Sequence, residues 1–334
     1  MEPAHVLITG AAGQIGYILS HWIASGALYG DRPVVLHLLE IKPALNRLEA
    51  LCMELQDCAF PTLAGVIGTT EYEPAFSGID CAFLVASVPL RQGEVRADLL
   101  KKNASIFKAT GEALGRYAKR TVKVLTIGNP CNTNALVAML HASGLSEKNF
   151  HSLSMLDYNR AVHMLASKFG VEVGEIRDMV VWGNHAESMV ADLSHAYFVK
   201  DGKKQMVKEL VSEDYAKGEF FTTIAGRAWA IMERRGFTSA ASPSKASLQH
   251  MKAWLFGTEE GEVLSMGIPV PESCPYGIKP GVLFSFPCTV DKDGEVHVKE
   301  DFPIDSWLAE KLKDTDEDLR HEREVALQVL AAQQ

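Results

Sequence analysis

No run of eighteen apolar residues occurs anywhere in the 334-residue chain, so a membrane-spanning helix is not expected. No basic run offsets a formal charge of −9, which argues against nucleic acid or an anionic membrane as a main partner. An anionic substrate would then need a local group of arginines inside an acidic protein. The six cysteines (52, 58, 81, 131, 274 and 288) show no CxxC spacing. In a chain this long they read as reduced thiols, not as a disulfide framework or a zinc site, and no metal is expected. Met1–His5 has neither the charged segment nor the apolar stretch of a secretion signal, which makes the cytoplasm the expected location. Internal repeats, low-complexity tracts and flexible linkers are also missing. What remains is a globular composition, 47% hydrophobic and 22% charged, with room for two packed domains or one large one.

The first motif lies at the start. Val6-Leu7-Ile8 reads as a buried strand entering Gly10-Ala11-Ala12-Gly13-Gln14-Ile15-Gly16, and the helix that follows reads from Gly16 to Ile23. In a nucleotide loop the first glycine permits a tight turn and the second lets the backbone approach a pyrophosphate. The third lets helix and strand pack, with the phosphates at the helix N-terminus. The spacing here is GxxGxxG, which a tight turn in another α/β protein could also show. It gains weight from Val34–Glu40, a second strand that ends in an acid 24 residues beyond Gly16. A carboxylate there can accept from a ribose diol and repels a 2′-phosphate, which favours NAD over NADP. A P-loop is excluded because no Lys-Ser/Thr pair follows the glycines.

Strands and helices then alternate. Pro43–Asp57 has helical spacing, Asp80–Ala86 reads as a strand, Leu99–Lys119 as a long helix, Val122–Ile127 as a strand and Asn134–Ala142 as a helix. Such alternation implies a parallel sheet open to a ligand at its strand C-termini. The expected fold class is α/β: a doubly wound parallel sheet of the Rossmann type over residues 1–152, then a mixed α+β substrate domain over 153–334. The second part reads as helices at Arg160–Phe169 and Phe220–Arg234, and strands at Val282–Val290 and Val296–Val298 turning at Lys292-Asp293-Gly294. A final helix reads over Asp316–Ala331. A substrate site is expected in the seam of the two parts.

The second part also holds reactive groups. Met155-Leu156-Asp157-Tyr158-Asn159-Arg160 sets an acid and a guanidinium three residues apart at a helix start, and Met179–His185 is an apolar strand ending in a histidine. Taken singly, an acid there is usually a cap and such a histidine a loop residue. Together with the nucleotide loop and Gly128-Asn129-Pro130-Cys131-Asn132-Thr133-Asn134 they form a pattern. Gly10–Gly16, Met53–Ala59, Gly128–Asn134, Trp182–His185 and Trp254–Thr258 together resemble the lactate/malate dehydrogenase superfamily in its cytosolic malate dehydrogenase branch.

The resemblance implies roles. His185 matches the proton carrier, and imidazole suits acid/base work near neutral pH. Asp157 matches its partner and Arg160 the guanidinium that grips the substrate C1 carboxylate. Asn129 matches an amide that bonds the substrate oxygen, and Arg96 the arginine of a closing loop. For the cofactor the matching positions are Gly10, Gly13, Gly16, Glu40 and Asn103, with Gln14, Ile15 and the backbone around Ile127 and Asn129. The implied reaction is direct hydride transfer between NAD and a 2-hydroxy or 2-oxo acid. A homodimer or dimer of dimers is implied as well, with the helix Asn46–Ala59 a candidate face that ordinary core packing explains equally well.

One position departs from the malate pattern. In that branch an arginine six residues before the loop arginine meets the substrate's second carboxylate, and here the place holds Leu90. A buried charge left without its partner costs about 3–5 kcal/mol, or a preference of roughly a hundredfold or more. Pyruvate offers only a methyl group against Leu90. With this leucine the chain resembles the lactate dehydrogenases of trichomonads, and the expected reaction is pyruvate/L-lactate. Arg91 keeps an oxaloacetate/malate reading open, should the loop shift by one residue. An aromatic or branched 2-oxo acid is a third option. A non-catalytic NAD-binding module would predict damage at His185, Asp157, Arg160 or Arg96, and none is seen.

Overall fold

The apolar run that opens the chain forms β1 (Ala4–Thr9), in which Val6, Leu7 and Ile8 are wholly buried. A strand covered on both faces needs such a continuous run, as parallel sheets require. The computed structural model describes residues 1–88 and 96–332, the side chains of 96–99 excepted. Two compact units are distinguished. The first comprises residues up to Ser152, Ala240–Met251 and the chain from His321 on; the second comprises Leu153–Ser239 and Lys252–Arg320. The sequence reading assigns everything after 152 to the second part. Two later segments pack instead with the first unit.

In the first unit β1 is followed by α1 (Gln14–Ala24), β2 (Val34–Leu39), α2 (Leu45–Asp57), β3 (Leu63–Thr69), α3 (Tyr72–Phe76), β4 (Cys81–Leu84), α4 (Arg96–Tyr117), β5 (Lys123–Thr126), α5 (Cys131–His141) and β6 (Phe150–Ser152). The strands lie in the order β6-β5-β4-β1-β2-β3, and each neighbouring pair is parallel. From β1 the chain runs outward through β2 to β3, then returns to β4 on the other side of β1. The order therefore reverses beside the C-terminal ends of β1 and β4, where open parallel sheets bind ligands. Gly16, Leu19, Ser20, Ile23 and Ala24 are the buried positions of α1, the spacing of a helix with one inward face. Unread in the sequence were β3 and β6. The former is a half-exposed edge strand with two glycines, and the latter has three residues, so neither shows an apolar run.

The second unit holds α6 (Met155–Phe169), β7 (Val180–Trp182), β8 (Val190–Asp192), β9 (Tyr197–Lys200), β10 (Lys203–Met206), α7 (Val207–Leu210), α8 (Phe221–Arg235), β11 (Leu264–Pro269), β12 (Leu283–Val290) and β13 (Val296–Val298). Its pairs β7/β8, β9/β10, β11/β12 and β12/β13 are antiparallel. The β12/β13 hairpin turns where Asp291 Oδ1 accepts the N–H groups of Asp293 and Glu295, at 3.0 and 2.9 Å. Two further helices, α9 (Ala241–Phe256) and α10 (Ser306–Ala331), each give one part to either unit. The last of these starts ten residues before the expected Asp316. Asp305 Oδ1 accepts the Leu308 N–H at 2.7 Å and so caps the helix start. Leu308, Leu312, Thr315 and Leu319 then form its buried stripe, while Ala326 and Leu330 join the core under the parallel sheet.

None of the six cysteines is in a disulfide, and burial pushes the Cys81 thiol up to about 12 and raises that of Cys288. Three buried histidines carry more consequence. His151 Nδ1 meets His250 Nε2 at 3.0 Å, so one ring donates and the other accepts, and burial favours the neutral form of both. Burial lowers His250 to about 3, and burial with the neighbouring His250 and Lys123 lowers His151 well below its ordinary value. His37 is also lowered by burial. Unfolded, these rings take protons from about pH 6.5 downward; folded, they resist, so stability is lost as pH falls through that range. Urea unfolding midpoints are therefore expected to drop between pH 7 and pH 5. Replacing His151 and His250 together by apolar residues should flatten that drop, and an unchanged slope would count against the assignment.

Candidate active site

In the first unit the turn after β1 packs too tightly for side chains. A Cβ on Gly16 would stand 2.5 Å from the Gly10 carbonyl oxygen and 2.7 Å from the Ala11 Cα. Gly10 itself has φ +65°, and a Cβ there would meet the Ala86 backbone at 2.9 Å. Gly13 is the N-cap of α1 and, being glycine, provides no side-chain cap over Gln14, Ile15 and Gly16. The first turn thus presents backbone N–H groups and the positive end of the helix, the setting that suits a pyrophosphate. Glu40, past the end of β2, accepts the Ala12 N–H on Oε1 at 3.0 Å and the Ile41 N–H on Oε2 at 3.1 Å. The acid is thereby tied to the loop it would serve.

Around this turn the strand ends are pinned by side chains. Thr9 Oγ1 accepts the N–H groups of Val85 and Ala86, both at 3.1 Å. Asn103, wholly buried on α4, clamps Val88 from both sides: its Oδ1 accepts the Val88 N–H at 2.9 Å and its Nδ2 donates to the Val88 carbonyl at 3.2 Å. Its amide serves the strand exit, an engagement the sequence did not suggest. Ile127 is buried at the end of β5, and its N–H donates to the Leu84 carbonyl at 2.9 Å. Asn129, two residues on, is exposed, with α5 anchored beside it. Asn134 Nδ2 donates to the Gly128 carbonyl at 2.8 Å, and Thr133 donates to the buried Glu322 of α10.

The second unit brings Asp157, Arg160 and His185 together. Asp157 sits in the first turn of α6, whose N-terminal dipole favours an anion. Its Oδ1 accepts from Arg160 Nη1 at 2.8 Å, and its Oδ2 bonds His185 Nδ1. Side-chain exposures are 4% for Asp157, 11% for Arg160 and 15% for His185. Burial by itself would raise the Asp157 carboxyl, but the charge and hydrogen bond of His185, then those of Arg160, outweigh it and hold the group below its usual range. A carboxylate only accepts, so His185 Nδ1 carries the proton and donates, leaving Nε2 as the group presented to a reactant. Such an arrangement has the chemistry to move a proton through a histidine of fixed tautomer, beside a guanidinium able to grip a carboxylate.

Leu90 and Arg91 lie outside the described residues, as does the side chain of Arg96, which opens α4.

The N-terminal half matches the family model for the lactate/malate dehydrogenase NAD-binding domain over residues 4–151, and the C-terminal half its α/β C-terminal domain over 154–329. The chain belongs to the lactate/malate dehydrogenase family. This family is one of NAD-dependent 2-hydroxy acid dehydrogenases, and NAD is the cofactor that the glycine cradle and Glu40 fit. Cytoplasmic malate dehydrogenase of Bos taurus is 44% identical over 333 residues, 99% of each chain. Trichomonas vaginalis lactate dehydrogenase, solved with NADH and oxamate, is 66% identical with a TM-score of 0.97, covering 98% of this chain and 99% of that one. An apo variant of the Trichomonas enzyme with arginine in place of a leucine is 65% identical with the same TM-score, covering 100% of both chains.

Gly16→Ala is expected to weaken NADH binding by about five- to 150-fold, since overpacking of about 1–3 kcal/mol would open the turn. Fluorescence titration checks this, and unchanged affinity would show that the cradle does not hold the phosphates.

Proposed function

We propose that the chain is an NAD-dependent L-lactate dehydrogenase interconverting pyruvate and L-lactate. The observation that carries the choice of substrate is Leu90, where malate dehydrogenases need a cation for the second carboxylate. The higher identity to the Trichomonas lactate dehydrogenase than to the bovine malate dehydrogenase supports the same choice. Gly10, Gly13, Gln14, Ile15, Gly16 and Glu40 would hold the dinucleotide, together with Asn103 and the backbone at Ile127 and Asn129. When bound, NADH supplies a hydride to the substrate C2.

Arg160 would receive the C1 carboxylate in a two-point grip, with one of its N–H groups kept on Asp157. For reduction, His185 would start as the imidazolium, with protons on both nitrogens, and give the Nε2 proton to the carbonyl oxygen as the hydride reaches C2. The charge of Asp157 steadies that imidazolium, and the neutral Nδ1–H tautomer is left afterwards. In the reverse direction the same nitrogen takes the hydroxyl proton. Asn129 would bond the reacting oxygen, and Arg96 would stabilise the charge that develops on it. A malate reading rests on Arg91, immediately after Leu90, and on the names of the curated relatives. The same proposal places the protein in the cytoplasm, as its relatives are named, and in an assembly of at least two copies; Leu45 and Met53 on α2 are 40% and 62% exposed.

Steady-state kcat/KM with NADH should favour pyruvate over oxaloacetate by roughly a hundredfold, and Leu90→Arg should reverse the order. Oxaloacetate ahead in the unaltered protein would restore the malate reading. An unchanged ratio in Leu90→Arg would mean that another position selects the substrate.

A further inference from the structure

Between β7 and β8 the chain makes no regular structure, yet it must hold His185 in a single pose. Gly183 begins this stretch with φ +87°, and its N–H and C=O both pair with Ser285, at 3.1 and 3.0 Å. A Cβ on Gly183 would overlap the Thr315 side chain, so α10 packs directly on this loop. Thr315 is wholly buried, and its Oγ1 accepts the Asn184 N–H at 3.0 Å. Asp318, one turn further along α10, accepts on a single oxygen from Asn184 Nδ2 at 3.0 Å and from Ser188 Oγ at 2.6 Å. Thr315 Oγ1 lies 3.4 Å from Ser188 Oγ and closes the ring.

Only one set of proton positions satisfies this ring. A carboxylate only accepts, so Ser188 donates to Asp318 and its own oxygen accepts from Thr315. The Thr315 hydroxyl then donates to Ser188 and accepts from Asn184. Chains of hydrogen bonds ordered in one direction reinforce each other, and this one ends on a charge. It grips residues 184 and 188, which bracket His185, while Asp157 holds the ring nitrogen.

We infer that Thr315, Asp318 and Ser188 are positioning residues for His185, fixing the backbone from which Nε2 is aimed at the substrate oxygen. The inference rests on the proposed role of His185 as proton carrier. Asp157 settles which nitrogen carries the proton. The α10 ring fixes the backbone on either side of the histidine, through Asn184 and Ser188.

The test uses the full-length protein with NADH and pyruvate. Thr315→Val keeps the shape, removes the acceptor for the Asn184 N–H, and is expected to lower kcat by roughly 10- to 100-fold, as small misplacements of reacting groups do. NADH affinity, read by fluorescence, should stay within about twofold, and Thr315→Ser should restore most of the rate. Ser188→Ala and Asp318→Asn, at partly exposed positions, should each lower kcat about three- to tenfold and carry the test if Thr315→Val does not fold. Wild-type kcat in these variants, beside an inactive His185→Asn, would overturn the positioning role alone. Losses in kcat matched by equal losses in NADH affinity, without rescue by Thr315→Ser, would overturn it too, since they mark general unfolding. Turnover retained by His185→Asn would overturn the proton-carrier reading beneath it.

Discussion

A single buried carboxylate organises the reactive groups of the second unit. Asp157 is 4% exposed, and without partners its charge would be costly there. Arg160 and His185 each occupy one of its oxygens, and the α6 dipole adds a favourable field. Because a carboxylate accepts and never donates, one acid settles the guanidinium position and the histidine tautomer together. Removing one member of such a group costs about 3–5 kcal/mol, which explains why the three are best treated as one device.

The first unit meets a different constraint, that of bringing backbone close to a doubly charged group. The turn after β1 is packed so closely around Gly10 and Gly16 that side chains are excluded on steric grounds. Around it, Thr9 and Asn103 use side-chain oxygens and an amide to hold the exit of β4. The result is a rim of fixed backbone at the point where the strand order reverses. Preorganised donors of this kind need little rearrangement when a ligand arrives. Glu40, tied by Ala12, keeps the acid next to the same turn.

Much of this was legible in the sequence, for reasons that differ by residue. The strands β1, β2, β4 and β5 announced themselves as apolar runs because a covered parallel sheet has no polar face to show. Glycines at 10, 13 and 16 were readable because few residue types tolerate such closeness. Asp157, Arg160 and His185 could be chosen through the family resemblance, and the structure brings them within hydrogen-bond reach. What stayed hidden depends on contacts distant in the chain. Nothing near Thr315 or Asp318 signals that they meet a loop some 130 residues earlier. Likewise, Asn103 gives no local sign of holding Val88, and the start of α10 was missed because Asp305 is one acid among many in that stretch.

In the proposed mechanism one buried carboxylate sets both the tautomer of His185 and the place of the Arg160 guanidinium. Asp157→Asn keeps the size of the side chain, removes its charge and adds a donor that faces His185 Nδ1 and Arg160. In this variant kcat/KM for pyruvate should fall at least about a hundredfold while NADH still binds, because the glycine cradle lies in the other unit. Pyruvate reduction at nearly the unaltered rate would show that Asp157 has no such part in the reaction.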